Sequence, residues 1–210
     1  MPEEQKNYTA STGVDEFYYA PLSESPGVIV DPDVQIELVD FVQTIGIEMP
    51  QEIVKAHGSN KIAEMAVSGG DTSVTSAFHK IPLEDKVKLL GLETQNGITA
   101  MGTDDNPPYV AVIFAKTYQS GRKEWVACLK GIFTRPNINA QTKGEGIEFN
   151  PEEITAQFMD RKLAGFDKMK SVATAEDKPG ETKNRDALFL ATFGKPFPGT
   201  TTPPTGGVEG

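Results

Sequence analysis

Two histidines, one cysteine and a few clustered carboxylates are the residues of this 210-residue chain with catalytic or metal-binding potential. His57 lies in KAHGSN and His79 in AFHKIP, and neither has a Cys, His or carboxylate at metal-ligand spacing. Both read as structural or surface side chains. Cys128 sits in the apolar run WVACLKGIF with no histidine near it in sequence, so it reads as a small buried filler rather than a nucleophile. As the only cysteine it cannot form an intrachain disulfide, which fits synthesis in a reducing cytoplasm. Asp104-Asp105 stands just ahead of Pro107-Pro108 and lacks calcium-loop spacing. Glu145, Glu148, Glu152 and Glu153 could pair for acid/base work, but four carboxylates on edge turns make a solvated rim. Gly144-Glu145-Gly146 is a turn, and no phosphate-cradling loop or nucleophile elbow is present. Lys116, Arg122, Lys123, Lys130 and Arg135, with Trp125 close by, are the candidate nucleic-acid patch. Strand alternation scatters them over a turn tip and two faces, which breaks the patch up. The residues point away from an enzyme.

Composition agrees. Thirty acidic against twenty basic residues leave a net charge of −10, which argues against a monomer that grips phosphates. Hydrophobic residues make up 38%, enough for one core, and 20 Gly with 15 Pro suit a turn-rich β protein. No apolar run approaches the ~20 residues that span a bilayer. The start, MPEEQKNYTAST, has neither the basic nor the apolar region of a secretory signal.

The elements follow from periodicity. Residues 1–16 read as a polar arm, and Phe17–Leu22 as a short aromatic strand. Val34–Met49 is a β run whose parity changes midway, which predicts a bulge or bend around Val39–Val42. Between residues 51 and 78, Lys61–Ser68 and Thr72–Phe78 read as a hairpin about Gly69-Gly70-Asp71. Neither of its faces can build a core, so it is either mobile or meant for another chain. Deleting 55–75 is therefore expected to leave a soluble monomer. Ile81–Gly91 is the helix, with Pro82 at its start, an apolar stripe of Leu83, Val87 and Leu90, and Gly91 as its stop. A short strand at Ile98–Met101 follows Asn96-Gly97. The central sheet pairs Tyr109–Lys116 with Trp125–Thr134. In that second strand Trp125, Ala127, Leu129, Gly131 and Phe133 share one face, and Val126, Cys128, Lys130 and Ile132 the other. Both are largely apolar, so the strand is central. Gly146–Phe149 and Glu153–Asp160 continue the sheet. Residues 171–186 read as a solvated loop, Ala187–Phe193 as a short docking helix or strand, and 197–210 as a disordered tail.

Seven short motifs occur in a telling order: FYYAPL, VQTIGIEM, GSNK, IPLEDKVKLLG, PPYVAVIF, WVACLKGIF, and the stretch from TKGEGIEF to FMDRK. Their conjunction resembles the major tail proteins of siphophages, in the phi13/TP901-1-like group, and the resemblance covers about residues 14 to 195. The resemblance implies a mainly β fold: an antiparallel β-sandwich or barrel over 17–196 with one flanking α-helix (about 81–91) and extended arms. It implies stacked hexameric rings that form the tail tube of a virion, through which DNA is ejected. His57, Ser59, Asn60, Gly69, Gly70 and Asp71 would then contact other subunits, and Glu37, Asp40, Glu48 and Glu64 would line the lumen or tube wall. The implied partners are further copies of the chain, tail terminator and tail-tip or distal tail proteins, a tape measure protein and then DNA, without specific binding. No cofactor and no membrane partner is implied. An acidic lumen would repel phosphates and let DNA slide. The alternatives are a monomeric β-sandwich binding module, with Trp125 and Tyr118 as a sugar platform, and the tube protein of a contractile tail or secretion machine.

Overall fold

The structure, a computed structural model, describes residues 8–58, 61–138 and 150–200. Its spine is the antiparallel pair β9 (Val110–Tyr118) and β10 (Lys123–Phe133). VAVIFA, the first six residues of β9, carries no polar side chain, and all six are buried. β1 (Ser11–Pro21) pairs with the far edge of β9, and β2 (Glu37–Val39) pairs with β1 at Phe17–Tyr19. On its other side β10 has two partners. Lys123–Cys128 takes β12 (Val172–Asp177), and Gly131–Phe133 takes β11 (Glu152–Phe158). β11 then pairs with β6 (Thr72–Phe78), and β6 with β3 (Val42–Glu48). The result is an eight-stranded antiparallel sheet in the order β2-β1-β9-β10-β11-β6-β3, with β12 attached to β10. Mainly β architecture follows, as expected.

Two cores form because both faces of the central strands are apolar. The first gathers Phe17 and Tyr19 from β1, Val110, Val112 and Phe114 from β9, and Val126 and Cys128 from β10. Phe78 of β6 and Ile154 and Phe158 of β11 join the same cluster, so β11, β6 and β3 lie over that face as the second layer of a sandwich. Tyr18, Ile113, Trp125, Ala127 and Leu129 point into the second core, beneath α2 (Lys183–Phe193).

β10 changes face partway. Simple alternation groups Phe133 with Trp125, yet Phe133 sits in the first core with Val126 and Cys128. A register shift between Cys128 and Gly131 inserts the bulge that reverses the parity. Gly131 is required there, since a Cβ would come within 2.6 Å of the Phe158 ring. The bend expected at Val39–Val42 is realised by Phe41 at φ 61° and a register shift between Val42 and Thr44.

α1 (Leu83–Leu90) stops at Gly91 in the left-handed region. Its inward stripe keeps the expected Val87 and Leu90 but not Leu83. Leu83 is 51% exposed, while Asp85, Leu89 and Leu90 face inward. The fully buried Tyr19 hydroxyl needs an acceptor, and Asp85 supplies it at 2.7 Å. Burial, followed by that hydrogen bond, pushes the Tyr19 pKa far up. A hairpin of β7 (Glu93–Gln95) and β8 (Ile98–Ala100) turns at Asn96-Gly97, both with positive φ.

Residues 171–186 are not a loop. They contain β12 and the first turn of α2, a second helix. Asp177, 2% exposed at the end of β12, accepts hydrogen bonds from the backbone N–H groups of Asn184 and Arg185 at 3.0 and 2.8 Å. That carboxylate satisfies orphan donors of the helix N-terminus and ties α2 to the sheet. β1 already begins at Ser11, inside the expected arm. At the other end the chain stays docked to Phe197, where a disordered tail was expected to start. Its ring meets those of Phe189, Tyr18 and Trp125 at centroid distances of 5.0, 5.5 and 6.2 Å.

Candidate assembly surface

β3 and β6 are the inner half of a longer hairpin. Beyond Glu48 the chain passes Met49-Pro50 into β4 (Gln51–Gly58), and β5 (Lys61–Gly69) returns through Gly70-Asp71 to β6. β4 pairs with β5 from Gln51 opposite Gly69 out to Gly58 opposite Lys61. The expected hairpin of residues 61–68 with 72–78 is thus corrected. Gly69-Gly70-Asp71 is a joint within one return strand, and the turn lies farther out. At that joint the Gly70 N–H donates to the Pro50 carbonyl at 2.9 Å. A Cβ on Gly70 would sit 2.8 Å from Pro50 Cγ, so glycine permits the approach.

The inner half does have a core. Val74 and Phe78 are buried, and Ile45 and Ile47 pack against them, so the coreless region is only 51–71. Removing 55–75 would cut into β6, where Thr72 and Val74 are 5% and 1% exposed. The outer half, by contrast, is exposed at every described side chain of 51–57 and 61–71. Eight residues at ~3.3 Å each carry it ~26 Å from the body. β-branched Ile53, Val54, Ile62 and Val67 favour extended chain, but a lone two-stranded ribbon is marginal in water.

Register sorts the arm into faces. Ile53 opposes Val67, and Lys55 opposes Met65, so these four share one side. Glu52, Ser68, Val54, Ala66, Ala56 and Glu64 share the other. Ile53, Met65 and Val67 are 61%, 63% and 67% exposed, a contiguous apolar strip with nothing over it in the described chain.

Of the residues proposed for inter-subunit contact, His57 lies near the arm tip, opposite Ile62. Gly69, Gly70 and Asp71 lie at its root, while Ser59 and Asn60 fall outside the described residues. The candidate lumen acids do not form one cluster. Glu37 on β2 pairs with Lys88 of α1 at 2.5 Å. Asp40 and Glu48 flank opposite ends of β3, and Glu64 stands out on β5, opposite Ala56. Thr44, Gly46 and Glu48 alternate with the inward Ile45 and Ile47, so the outer face of β3 is small and polar. The edge of β3 away from β6 has no partner strand among the described residues. A cleft of about 490 Å³, lined by Val14, Ile45, Ile47, Phe114 and Val126 among others, opens between β3 and the start of β1.

The other candidates find ordinary roles. Cys128 is fully buried, and burial pushes its thiol up to about 12. Trp125 is 3% exposed under Phe189, so it offers no sugar platform with Tyr118, whose hydroxyl donates to Glu124. The basic cluster is largely neutralised: Lys116 by Glu124 at 2.7 Å, Arg122 by Glu176 at 2.9 Å, and Lys123 by Glu16. Burial would raise the Glu124 pKa, but hydrogen bonds from Lys116 and Tyr118 outweigh it and hold it below the usual carboxylate value. Glu152 behaves alike. Burial pushes up, while Lys86 at 2.7 Å and the Ile81 N–H at 2.9 Å bring the net shift down. Glu145 and Glu148 lie outside the described residues. Among the described residues no three His, Cys, Asp or Glu side chains converge on a metal-sized site, and no helix is long and apolar enough to cross a membrane.

Sequence missed β4 and the arm it builds. The signal was there in the alternation of Glu52, Val54 and Ala56 against Ile53 and Lys55, but the Gly-Gly-Asp triplet offered a stronger turn. No curated protein matches the chain. The model of the family described as phage tail tube protein matches residues 43–192, from β3 through the whole arm to the last turn of α2. A β-sandwich carrying an exposed projecting arm suits such a structural protein, and the chain belongs to the phage tail tube protein family, self-assembling components of the virion tail.

Proposed function

We propose that six copies close into a ring and that rings stack into the tube of a long, non-contractile phage tail, through which DNA leaves the virion. The observation that carries this reading is the arm β4–β5. It extends two core strands into solvent and exposes Ile53, Met65 and Val67 on one face. In a ring or stack that face is covered by a neighbour, and the free edge of β3 gains a partner strand, which removes both liabilities of the single chain. His57, Ser59, Asn60, Gly69, Gly70 and Asp71 then belong to the contact, His57 near the arm's outer end and Gly69, Gly70 and Asp71 at its root. Glu48 and Glu64, with the net charge of −10, suit a wall along which phosphates slide. Glu37 is engaged with Lys88 and serves the fold first. Terminator, tail-tip and tape measure proteins are the partners at the ends and in the bore.

Negative-stain microscopy of the purified chain, together with size-exclusion chromatography, tests the proposal. Hollow tubes or six-fold rings are the expected result. A chain that stays monomeric at every concentration would refute the proposal.

A further inference from the structure

Arg161, in the FMDRK segment after β11, is a cation without a counter-ion among the described residues. Its backbone is fixed by reciprocal hydrogen bonds with Lys170 at 2.8 and 3.0 Å. Nη2 donates to the Thr192 carbonyl of α2 at 2.8 Å. Nε and Nη1 are buried with no hydrogen-bond partner, and so is the hydroxyl of Thr192. Burial pushes the Arg161 pKa down, the sign of a charge that has lost water without gaining an anion. Arg161 lines a pocket of about 420 Å³ together with Ser23, Glu24, Ile29, Tyr109 and Lys130. Lys130 places its Nζ 4.2 Å from the centre of the Tyr109 ring. Neither cation forms an ion pair among the described residues, although Glu24 is in the lining. Lys86, Lys88, Lys116, Arg122 and Lys123 are paired, while exposed Lys55, Lys80 and Lys168 have no ion pair among the described residues; what sets Arg161 apart is that its unpartnered nitrogens are buried.

We propose that this pocket is a carboxylate-binding site, entered by an aspartate or glutamate of a second copy of the chain when copies assemble. A guanidinium matches a carboxylate in shape and charge, and Lys130 adds a second positive group to the same lining. The choice of a second copy rests on the tube reading and on charge. Acidic residues outnumber basic ones by 30 to 20, so two copies repel unless unpaired cations stand where they meet. Arg161 and Lys130 are such cations.

Two measurements test the site, one without assembly. In the free chain, sodium acetate is the probe, compared with sodium chloride at equal ionic strength. Acetate is expected to raise the melting temperature of the wild type and not that of Arg161→Met. An equal response in both proteins overturns the proposal. The second measurement is the concentration at which tubes form. Arg161→Met removes an unpaired buried charge, so its monomer should melt no lower than wild type, yet it should need at least about tenfold more protein to polymerise, one lost charged contact of ~1.4 kcal/mol. Lys130→Gln, at the rim, should show a smaller shift in the same direction. Assembly of both variants at the wild-type concentration overturns the proposal. So does a lower melting temperature of Arg161→Met with unchanged assembly, which makes the arginine structural. A wild type that responds to acetate but never forms tubes refutes the tube reading and leaves the site standing with a different donor.

Discussion

Replacing the apolar strip of the arm by serine (Ile53→Ser, Met65→Ser and Val67→Ser together) separates folding from assembly. The three side chains are 61%, 63% and 67% exposed in the single chain. Fully burying such a side chain contributes ~1.5–3 kcal/mol. Since about two thirds of each remains to be covered, the gain on assembly is roughly 1–2 kcal/mol apiece, or about 3–6 kcal/mol for the strip. At 1.4 kcal/mol per factor of ten, the triple variant should need roughly a hundred to twenty thousand times more protein to polymerise. Its monomer should be nearly unaffected, because exposed substitutions usually stay within ~0.5 kcal/mol each. Pelleting across a concentration series, with negative-stain grids of each fraction, gives the threshold, and a circular-dichroism melt gives the monomer stability. Polymerisation at the wild-type threshold with a normal melt refutes the reasoning. Loss of the monomer melt also refutes it, since the strip would then be part of the core.

Phe189→Ala in α2 should behave in the opposite way. Its fully buried ring meets Tyr18, Trp125, Phe193 and Phe197 at 5.0 to 5.9 Å, so truncation should cost the monomer ~3–5 kcal/mol. Urea titration followed by Trp125 fluorescence measures it, and a loss below about 1 kcal/mol would mean that α2 is not part of the folding unit. Acid should weaken the fold through Glu124 and Glu152, whose folded pKa values are lowered. Their contribution is complete above the unfolded value of about 4.3 and disappears as pH falls through the lower folded values. Glu124→Gln should flatten that part of the stability–pH curve, and a curve identical to wild type below pH ~4.3 would contradict the assignment.

Patterns held within one element were readable from sequence. The alternation of β9 and β10, the bend at Phe41 and the Gly91 stop all depend on neighbouring residues. What depended on partners was not readable. β5 pairs with β4 rather than β6, and VATAED becomes a strand only because the edge of β10 along Lys123–Cys128 is free for it. α1 is turned so that Asp85 meets Tyr19, sixty-six residues away in sequence, and apolar periodicity cannot register a demand from a buried hydroxyl. Phe133 changed face through a bulge that local alternation does not encode, although Gly131 marks the place. The candidate site was partly legible. Weak faces between residues 61 and 68 pointed to a segment completed by another chain, while the unpaired state of Arg161 became visible only with α2 in place.

The arm and the body share their strands, and this has a mechanical consequence. β4 continues β3 and β5 continues β6, with Pro50 and Gly70 as the joint. A pull on the arm along its length therefore runs straight into β6, which is stitched to β3 on one side and to β11 on the other. Those two ladders are loaded in shear, where many backbone hydrogen bonds must yield together rather than unzip one at a time. Bending meets less resistance, because the two strands narrow to a single Gly70–Pro50 hydrogen bond at the joint. The arm should thus be stiff in tension and compliant in flexure, a combination that would let subunits in the proposed stack tilt against one another without coming apart.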